Sequence, residues 1–221
     1  MCGRFTVTVD PAELMERFHL SAADGMPAPR YNVAPTQNVP VVLNESPEKL
    51  STVQWGLIPS WAKDAAIGAQ MINARAETVP EKPAFRAAFK KRRCLVLADG
   101  FYEWRKESDG KTKTPMLIRL KSGEPFAMAG LWEVWSAPDG QARRTCTIIT
   151  TTANALVAPT HNRMPVILPR ETEADWLDDT IGALALTALL RPFPAEEMLA
   201  FAVSRRVNAT ANDDAGLVQP V

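Results

Sequence analysis

The chain of 221 residues has few of the side chains that build metal centres or disulfide frameworks. It has two histidines and no Cys-x-x-Cys pair, which argues against a zinc site. It has three cysteines, an odd number, and the N-terminus lacks the charged-then-apolar pattern of a signal peptide. We therefore expect no disulfide framework, no metal and no other cofactor, and we expect a cytoplasmic protein.

Charge of one sign and long apolar runs are also missing. The 25 Lys and Arg residues balance the 25 Asp and Glu residues, so the formal net charge is zero. That balance argues against a generally basic nucleic-acid binder, but it leaves room for a local basic groove. No apolar run is long enough to form a transmembrane helix, so we expect no membrane partner.

The residue patterns that are present predict one α+β domain over residues 1–221. Its core is predicted to be mostly antiparallel β, with a few peripheral helices. Turn residues at Ser122-Gly123 and Asp139-Gly140 favour antiparallel hairpins between the predicted strands on either side. The predicted strands lie at 3–9, 39–43, 53–57, 94–98, 114–120, 126–135 and 143–152, and the predicted helices at 11–20, 83–92, 171–178 and 183–190. We expect a turn at 45–49 and an extended chain over 201–208.

The second residue has an unusual chemical property if Met1 is removed. Cys2 then carries an α-amine and a thiol on adjacent carbons. Ordinary pKa values are roughly 7.7–8.0 for the amine and about 8.5 for the thiol, so both groups are nearly ready at neutral pH. The amine condenses with an aldehyde to an imine, and the thiol closes on the imine carbon to form a thiazolidine. The same residue also suits nucleophilic attack on an acyl group, and the plain alternative is a small residue after the start.

Polar residues elsewhere are candidates for a site. On a strand, Asn73, Arg75 and Glu77 share one face, which fits either a site or the rim of a sheet. Glu103 stands among aromatic residues that favour a raised pKa, and the alternative is a surface residue paired with Arg105 or Lys106. His161 lies in a polar loop, where an imidazole suits proton transfer.

The tryptophans near residue 60 raise the question of base stacking. An exposed loop Trp stacks on a nucleobase, whereas a buried one packs on the core. We favour the core for Trp55, and for Trp61 both interpretations stay open. Cys94 and Cys146 lie in apolar, strand-like runs and are predicted to be buried.

Six motifs in order resemble those of the SRAP (SOS response-associated peptidase) family of abasic-site-processing proteins. The resemblance covers nearly the whole chain. One departure is visible after Trp61, where the chain lacks a second aromatic residue found in some relatives. The matching motifs are Met1-Cys2-Gly3-Arg4-Phe5, Arg30-Tyr31-Asn32-Val33-Ala34-Pro35, Trp55-Gly56-Leu57-Ile58-Pro59, Ile72-Asn73-Ala74-Arg75-Ala76-Glu77-Thr78, Asp99-Gly100-Phe101-Tyr102-Glu103-Trp104 and Thr160-His161-Asn162-Arg163-Met164-Pro165.

The resemblance implies a partner and an activity. Such proteins bind single-stranded DNA and trap abasic sites covalently during the response to DNA damage, in a lyase-like reaction that follows peptidase-type removal of Met1. We therefore expect single-stranded DNA containing abasic sites as partner, a nucleoid-associated location in the cytoplasm, and a monomer.

The resemblance also implies residue roles. Cys2 is the nucleophile, Asn73 positions the amine or the sugar, and Glu103 and His161 move protons. Arg4, Arg75 and Arg163 match positions expected on the phosphate backbone, and Trp61 is a candidate for stacking. Each lost phosphate contact is expected to make the salt dependence of binding shallower.

Two other functions stay open from the sequence. The first is an amidohydrolase or peptidase that uses an N-terminal Cys nucleophile. The second is a non-catalytic reader of damaged single strands, for which Cys2→Ala leaves function intact.

Overall fold

The computed structural model of the chain describes residues 2–25 and 28–221, and Met1 lies outside them. The described strands are β1 (Phe5–Val7), β2 (Ala22–Ala23), β3 (Arg30–Val33), β4 (Asn38–Leu43), β5 (Ser46–Trp55), β6 (Asn73–Arg75), β7 (Arg93–Ala98), β8 (Gly100–Lys106), β9 (Lys113–Leu120), β10 (Phe126–Ser136), β11 (Ala142–Thr152), β12 (Arg163–Pro165), β13 (Ile167–Leu168) and β14 (Met198–Ala202). The described α-helices are α1 (Pro11–Arg17), α2 (Arg86–Lys91), α3 (Arg170–Leu177) and α4 (Ala183–Ala188).

Five strands close into a barrel at the centre of the fold. The order β5-β4-β7-β10-β11 is antiparallel throughout, and β11 then pairs in parallel with β5 to complete the ring. Gly130 allows close packing inside it, because a Cβ there would lie 2.8 Å from the sulfur of Cys94. Cys94 and Cys146 are both fully buried, as predicted. The sheet-rich core with a few helices confirms the predicted α+β class.

A second, five-stranded antiparallel sheet packs beside the barrel in the order β14-β9-β8-β1-β3. Its strand β1 contacts the barrel through Phe5, whose ring centroid lies 5.1 Å from that of Trp55. Trp55 is fully buried, so the prediction that it belongs to the core is confirmed. This contact places the N-terminal segment between the two sheets.

Strand β11 extends beyond the barrel and carries two short strands on its flanks. On one side β6 pairs in parallel with Ile148–Thr150, and on the other β12 pairs antiparallel with Thr150–Thr152. Asn73, Arg75 and Arg163, which are distant in sequence, are therefore brought to one end of one strand.

Three local predictions are wrong. Of the turn predicted at 45–49, only Glu45 lies in a turn, and β5 begins at Ser46, because the outer end of this long strand resembles a turn in composition. The segment Arg205–Asn208 forms a 3-10 helix rather than an extended chain, and the Ser204 hydroxyl caps it by accepting from the Arg206 amide. Around Ser122-Gly123 no hairpin forms, because β9 and β10 belong to different sheets, whereas β10 and β11 form the expected pair.

The strand that carries the predicted polar face is shorter than expected. It ends at Arg75, so Glu77 lies in the following turn rather than on the strand face with Asn73. In the same way α1 ends at Arg17, short of the predicted Leu20. Among the described residues, no helix is both long and apolar enough to cross a membrane.

Candidate active site around Cys2

Cys2 lies just before β1 and is held by main-chain and side-chain contacts. Strand β1 runs between β3 and β8, and the Arg4 carbonyl accepts a hydrogen bond from the Tyr102 amide at 2.9 Å. The Asn73 amide nitrogen Nδ2 donates to the Cys2 carbonyl at 2.8 Å. Cys2 is therefore fixed by the five-stranded sheet on one side and by β6 on the other.

Burial makes the thiol of Cys2 hard to ionise. Cys2 is 0% exposed, and burial raises the pKa of its thiol well above the ordinary range. Negative charge on Glu103 raises the pKa of the thiol further. The expectation of a thiol nearly ready at neutral pH concerns the chain without Met1 and stays a prediction.

Glu103 is a buried carboxyl on β8. It is only 3% exposed, and burial raises its pKa, against the opposing effect of positive charge that includes His161. The direction of the predicted shift is confirmed. The alternative of a surface residue paired with Arg105 is wrong, because Arg105 pairs instead with Glu107 at 3.2 Å.

Two of the three aromatic neighbours of Glu103 in sequence lie on the opposite face of β8, and only Phe101 shares its face. Side chains alternate between the two faces of a strand, so Tyr102 and Trp104 point away from Glu103. They pack in an apolar cluster with Leu117 and Val207. The direction of the shift was thus predicted correctly, although two of the three aromatic residues that motivated it lie on the other face.

His161 completes the cluster from the loop between β11 and β12. It is half-buried, and its backbone amide donates to the Val157 carbonyl at 3.0 Å. Its ring nitrogen Nδ1 accepts from the Arg163 backbone amide at 3.0 Å. A neutral imidazole whose Nδ1 accepts a hydrogen bond carries its proton on Nε2. The structure therefore brings together all four predicted catalytic residues, Cys2, Asn73, Glu103 and His161.

The three predicted phosphate-binding arginines differ in what they contact. Arg75 is exposed at the end of β6. Arg4 donates from Nη1 to Asn32 Oδ1 at 2.7 Å and to the Val207 carbonyl at 2.8 Å. Arg163 forms an ion pair with Glu77. Arg4 and Arg163 are thus engaged by protein groups, whereas Arg75 faces solvent.

Trp61 lies in the loop that follows β5, and it is 60% exposed. The loop itself is anchored, because the carbonyl of the next residue, Ala62, accepts from the indole of Trp135 at 2.7 Å. An exposed indole on an anchored loop fits stacking better than it fits a lid on the core.

Sequence reasoning missed the role of Asn32. This residue of β3 is fully buried, and its Nδ2 donates to the carbonyls of Val207, Ala209 and Asn212 at 3.2, 3.1 and 2.7 Å. It therefore ties the C-terminal segment to the strand next to Cys2. The available signal was a lone amide inside a strand-like run.

The candidate site does not coincide with a large cavity. A cleft of about 760 Å³ lies between α3 and the β9–β10 connection, and it is lined by residues such as Phe126, Leu168 and Phe193. None of the candidate catalytic residues lines it. The site is therefore defined by its convergent chemical groups rather than by cavity size.

The chain thus has an α+β fold built on a closed barrel. Its buried Cys2 belongs to a group of residues that also offers an amide, a carboxyl and an imidazole. Residues 1–210 match the sequence profile of the family described as "SOS response associated peptidase (SRAP)", and the chain belongs to that family.

Curated relatives carry names that refer to abasic sites. The chain is 47% identical to "Abasic site processing protein YoqW" of Bacillus subtilis, over 99% of each chain. It is 32% identical to "Abasic site processing protein HMCES" of Pongo abelii, over 87% of this chain and 65% of that one. A solved structure of a Bacteroides thetaiotaomicron protein, 30% identical, superimposes with a TM-score of 0.92 over the full length of both chains.

Proposed function

We propose that the chain traps abasic sites in single-stranded DNA as a covalent adduct of Cys2, after removal of Met1. The names of the curated relatives support abasic-site processing. The observation that carries the chemistry is Asn73, whose Nδ2 holds the Cys2 carbonyl. Its Oδ1 is buried and has no hydrogen-bond partner within residues 2–25 and 28–221. This atom is an acceptor suited to the α-amine of a processed Cys2.

The reaction proceeds in four balanced steps. The abasic sugar opens to its aldehyde, and the neutral α-amine of Cys2 adds to the aldehyde carbon to give a carbinolamine. The carbinolamine loses its hydroxyl as water and becomes an imine. The sulfur of Cys2 then bonds to the imine carbon while the thiol proton is transferred to the nitrogen, which closes the thiazolidine. One water leaves overall, and nothing is oxidised or reduced.

The raised pKa values of the site favour an order in which the amine acts first. A buried, protonated thiol is a poor nucleophile, because the thiolate is the reactive form. We assign to Glu103 the transfer of the thiol proton to the ring nitrogen when the ring closes, because burial raises the pKa of its carboxyl and makes the carboxylate a stronger base than an ordinary one. His161 is assigned to the sugar, where opening of the ring requires a proton on the ring oxygen.

The strand of DNA is proposed to run past Arg75 and Trp61. Arg75 is the exposed arginine at the end of β6, and a phosphate contact there positions the strand without reading its sequence. Arg4 and Arg163 contribute positive charge to the same region, although protein acceptors hold their guanidinium groups. Trp61 offers a face on which a base stacks.

The buried thiol argues against the amidohydrolase alternative. Attack on an amide by an N-terminal cysteine requires the thiolate as first nucleophile, and burial of Cys2 disfavours that form. An adduct that forms through the amine has no such requirement.

The test is the intact mass of the purified protein before and after incubation with an abasic single-stranded oligonucleotide. We expect the reactive chain to begin at Cys2, and the product mass to equal protein plus oligonucleotide minus one water. Cys2→Ala is expected to form no thiazolidine and to leave at most a reducible imine. Cys146→Ala, at an equally buried thiol inside the barrel, is the matched control and keeps the adduct.

Three outcomes would contradict the proposal. They are an adduct formed by protein that still carries Met1, a Cys2→Ala variant that yields the same unreduced adduct, or release of product from an amide substrate without any adduct on DNA.

A further inference from the structure

A chain of contacts leads from Glu77 to His161. Both oxygens of Glu77 accept from Arg163, with Nη1–Oε1 at 2.5 Å and Nη2–Oε2 at 3.0 Å. The backbone amide of the same Arg163 donates to His161 Nδ1 at 3.0 Å. The carboxylate therefore holds the residue that fixes the imidazole.

The arginine in this chain is firmly held. Besides the two bonds to Glu77, its Nη2 donates to the Thr150 carbonyl at 2.5 Å, and its side chain is only 14% exposed. A paired, two-point contact between guanidinium and carboxylate fixes orientation as well as distance. Arg163 is thereby fastened to β11 and to the turn after β6.

The carboxylate that holds it is also fixed in place. Glu77 lies in a turn where the Ala76 amide donates to the Thr150 carbonyl and the Val79 amide to the Arg75 carbonyl, both at 2.9 Å. The hydrogen bond from Arg163 lowers the pKa of Glu77, which keeps the carboxylate ionised at neutral pH. An ionised Glu repels phosphate, so contact with DNA does not explain its presence here.

We propose that Glu77 is a positioning residue for His161. By holding Arg163, it keeps the Arg163 amide on His161 Nδ1, and the imidazole then presents Nε2, which bears the proton in the neutral ring, to the site. The role in the reaction rests on the proposed function, since it requires that His161 transfer a proton. The positioning itself does not depend on that function.

The direct test is the tautomer of His161 in the DNA-free protein, read from long-range ¹⁵N–¹H correlations of the imidazole. The chain has only two histidines, and His161→Ala assigns their signals. We expect His161 to be mainly the Nε2–H tautomer in the parent. In Glu77→Ala the Nδ1 contact loosens and both tautomers appear, whereas Glu77→Gln, which keeps one acceptor, gives a smaller change.

Glu81→Gln is the matched control, because Glu81 is an exposed carboxylate in the same segment. It is expected to leave the His161 signals unchanged. The signals of His19 report whether each variant is folded. If Glu77→Ala does not fold, the tautomer of His161 in Glu77→Gln tests the proposal. An unchanged Nε2–H tautomer in the folded Glu77 variants overturns the proposal.

Single-turnover cross-linking separates this inference from the proposed function. If the parent forms the adduct, Glu77→Ala is expected to slow it on the order of 10-fold, less than loss of a proton-transfer group itself. Tautomer loss in Glu77→Ala with a parent that never reacts refutes the function and leaves the positioning intact. Unchanged tautomer with a reactive parent refutes the positioning alone.

Discussion

Two buried ionisable side chains on consecutive strands, Arg93 on β7 and Glu103 on β8, are stabilised in different ways. Arg93 is 0% exposed, and its guanidinium donates to four main-chain carbonyls and one carboxylate. These acceptors are Trp176 O, Phe89 O, Lys90 O, Asp178 O and Asp179 Oδ1, at 2.7 to 3.1 Å. Because the acceptors belong to the ends of α2 and α3, this charge fixes both helices against the barrel.

Glu103 is almost as deeply buried, but its burial outweighs the positive charge around it and its pKa is raised. A charge with a full set of fixed acceptors stays in one protonation state and acts in structure. A carboxyl whose charged form is disfavoured gains and loses a proton easily, which suits catalysis. Burial disfavours the charged form of both side chains, and the difference lies in how far fixed partners offset that effect.

The largest effect is expected from a substitution that removes proton exchange at Glu103 and keeps the shape of its side chain. Glu103→Gln is expected to slow single-turnover cross-linking to an abasic oligonucleotide by about 10²–10⁴-fold, because the group proposed to accept the thiol proton is lost. The control is Glu107→Gln on the segment beyond the same strand, at a half-buried carboxylate that pairs with Arg105. A Glu103→Gln rate equal to that of the parent at every pH would assign Glu103 to structure.

Removal of the other charge is expected to affect stability instead. Arg93→Met leaves four main-chain carbonyls and the half-exposed Asp179 carboxylate without their donor, and each acceptor left unsatisfied in the interior costs about 1–3 kcal/mol of unfolding free energy. Denaturant unfolding measures this loss of unfolding free energy. The control is Arg86→Met, at an exposed arginine on α2. The cross-linking rate per folded molecule is expected to stay at the parent value. An Arg93→Met variant as stable as the parent, or a folded one that cross-links slowly, would contradict a purely structural role for Arg93.

The smallest expected effect is the pH dependence of stability. Below the ordinary pKa of 4.5, the Glu103 carboxyl is protonated in both the folded and the unfolded chain, so it contributes no difference. As pH rises from 4.5 through the raised folded pKa, the unfolded chain releases the proton first and the folded state loses stability. The Glu103→Gln variant does not lose stability in this way, because its amide does not titrate.

The measurement is the melting temperature of Glu103→Gln minus that of the parent, at about pH 4 and at about pH 7.5. We expect the difference to become more positive at the higher pH. A constant difference, or one that becomes more negative, would show that burial does not disfavour the charged carboxyl.

Much of the fold followed from local patterns. Alternation and β-branched residues located β7, β10 and β11, and Asp10 and Pro11 marked the start of α1, where Asp10 caps the Ala12 amide at 2.8 Å. The pairing of the strands could not be predicted from these local patterns. The parallel closure of β5 on β11 joins residues about 90 apart in sequence, and nothing near Ser122-Gly123 indicates that the chain leaves one sheet for the other.

The same limit applies to the site. The chemistry of the individual side chains made Cys2, Asn73, Glu103 and His161 separate candidates. The family resemblance then predicted that they belong to one site. It did not reveal the burial that raises the pKa of the Cys2 thiol, nor the link from Glu77 through Arg163 to His161. Both depend on which segments meet in space, and that is set by packing rather than by neighbours in sequence.

The contact between Arg4 and the Val207 carbonyl has a consequence for the order of events during synthesis. The two residues are 203 positions apart, so the ribosome makes the acceptor long after the donor. At about 5–20 residues per second, roughly 10 to 40 s pass between them. During that interval Arg4 lacks one of its two side-chain acceptors. The segment around Cys2 is therefore held less firmly while the chain is being made than after Val207 has been added.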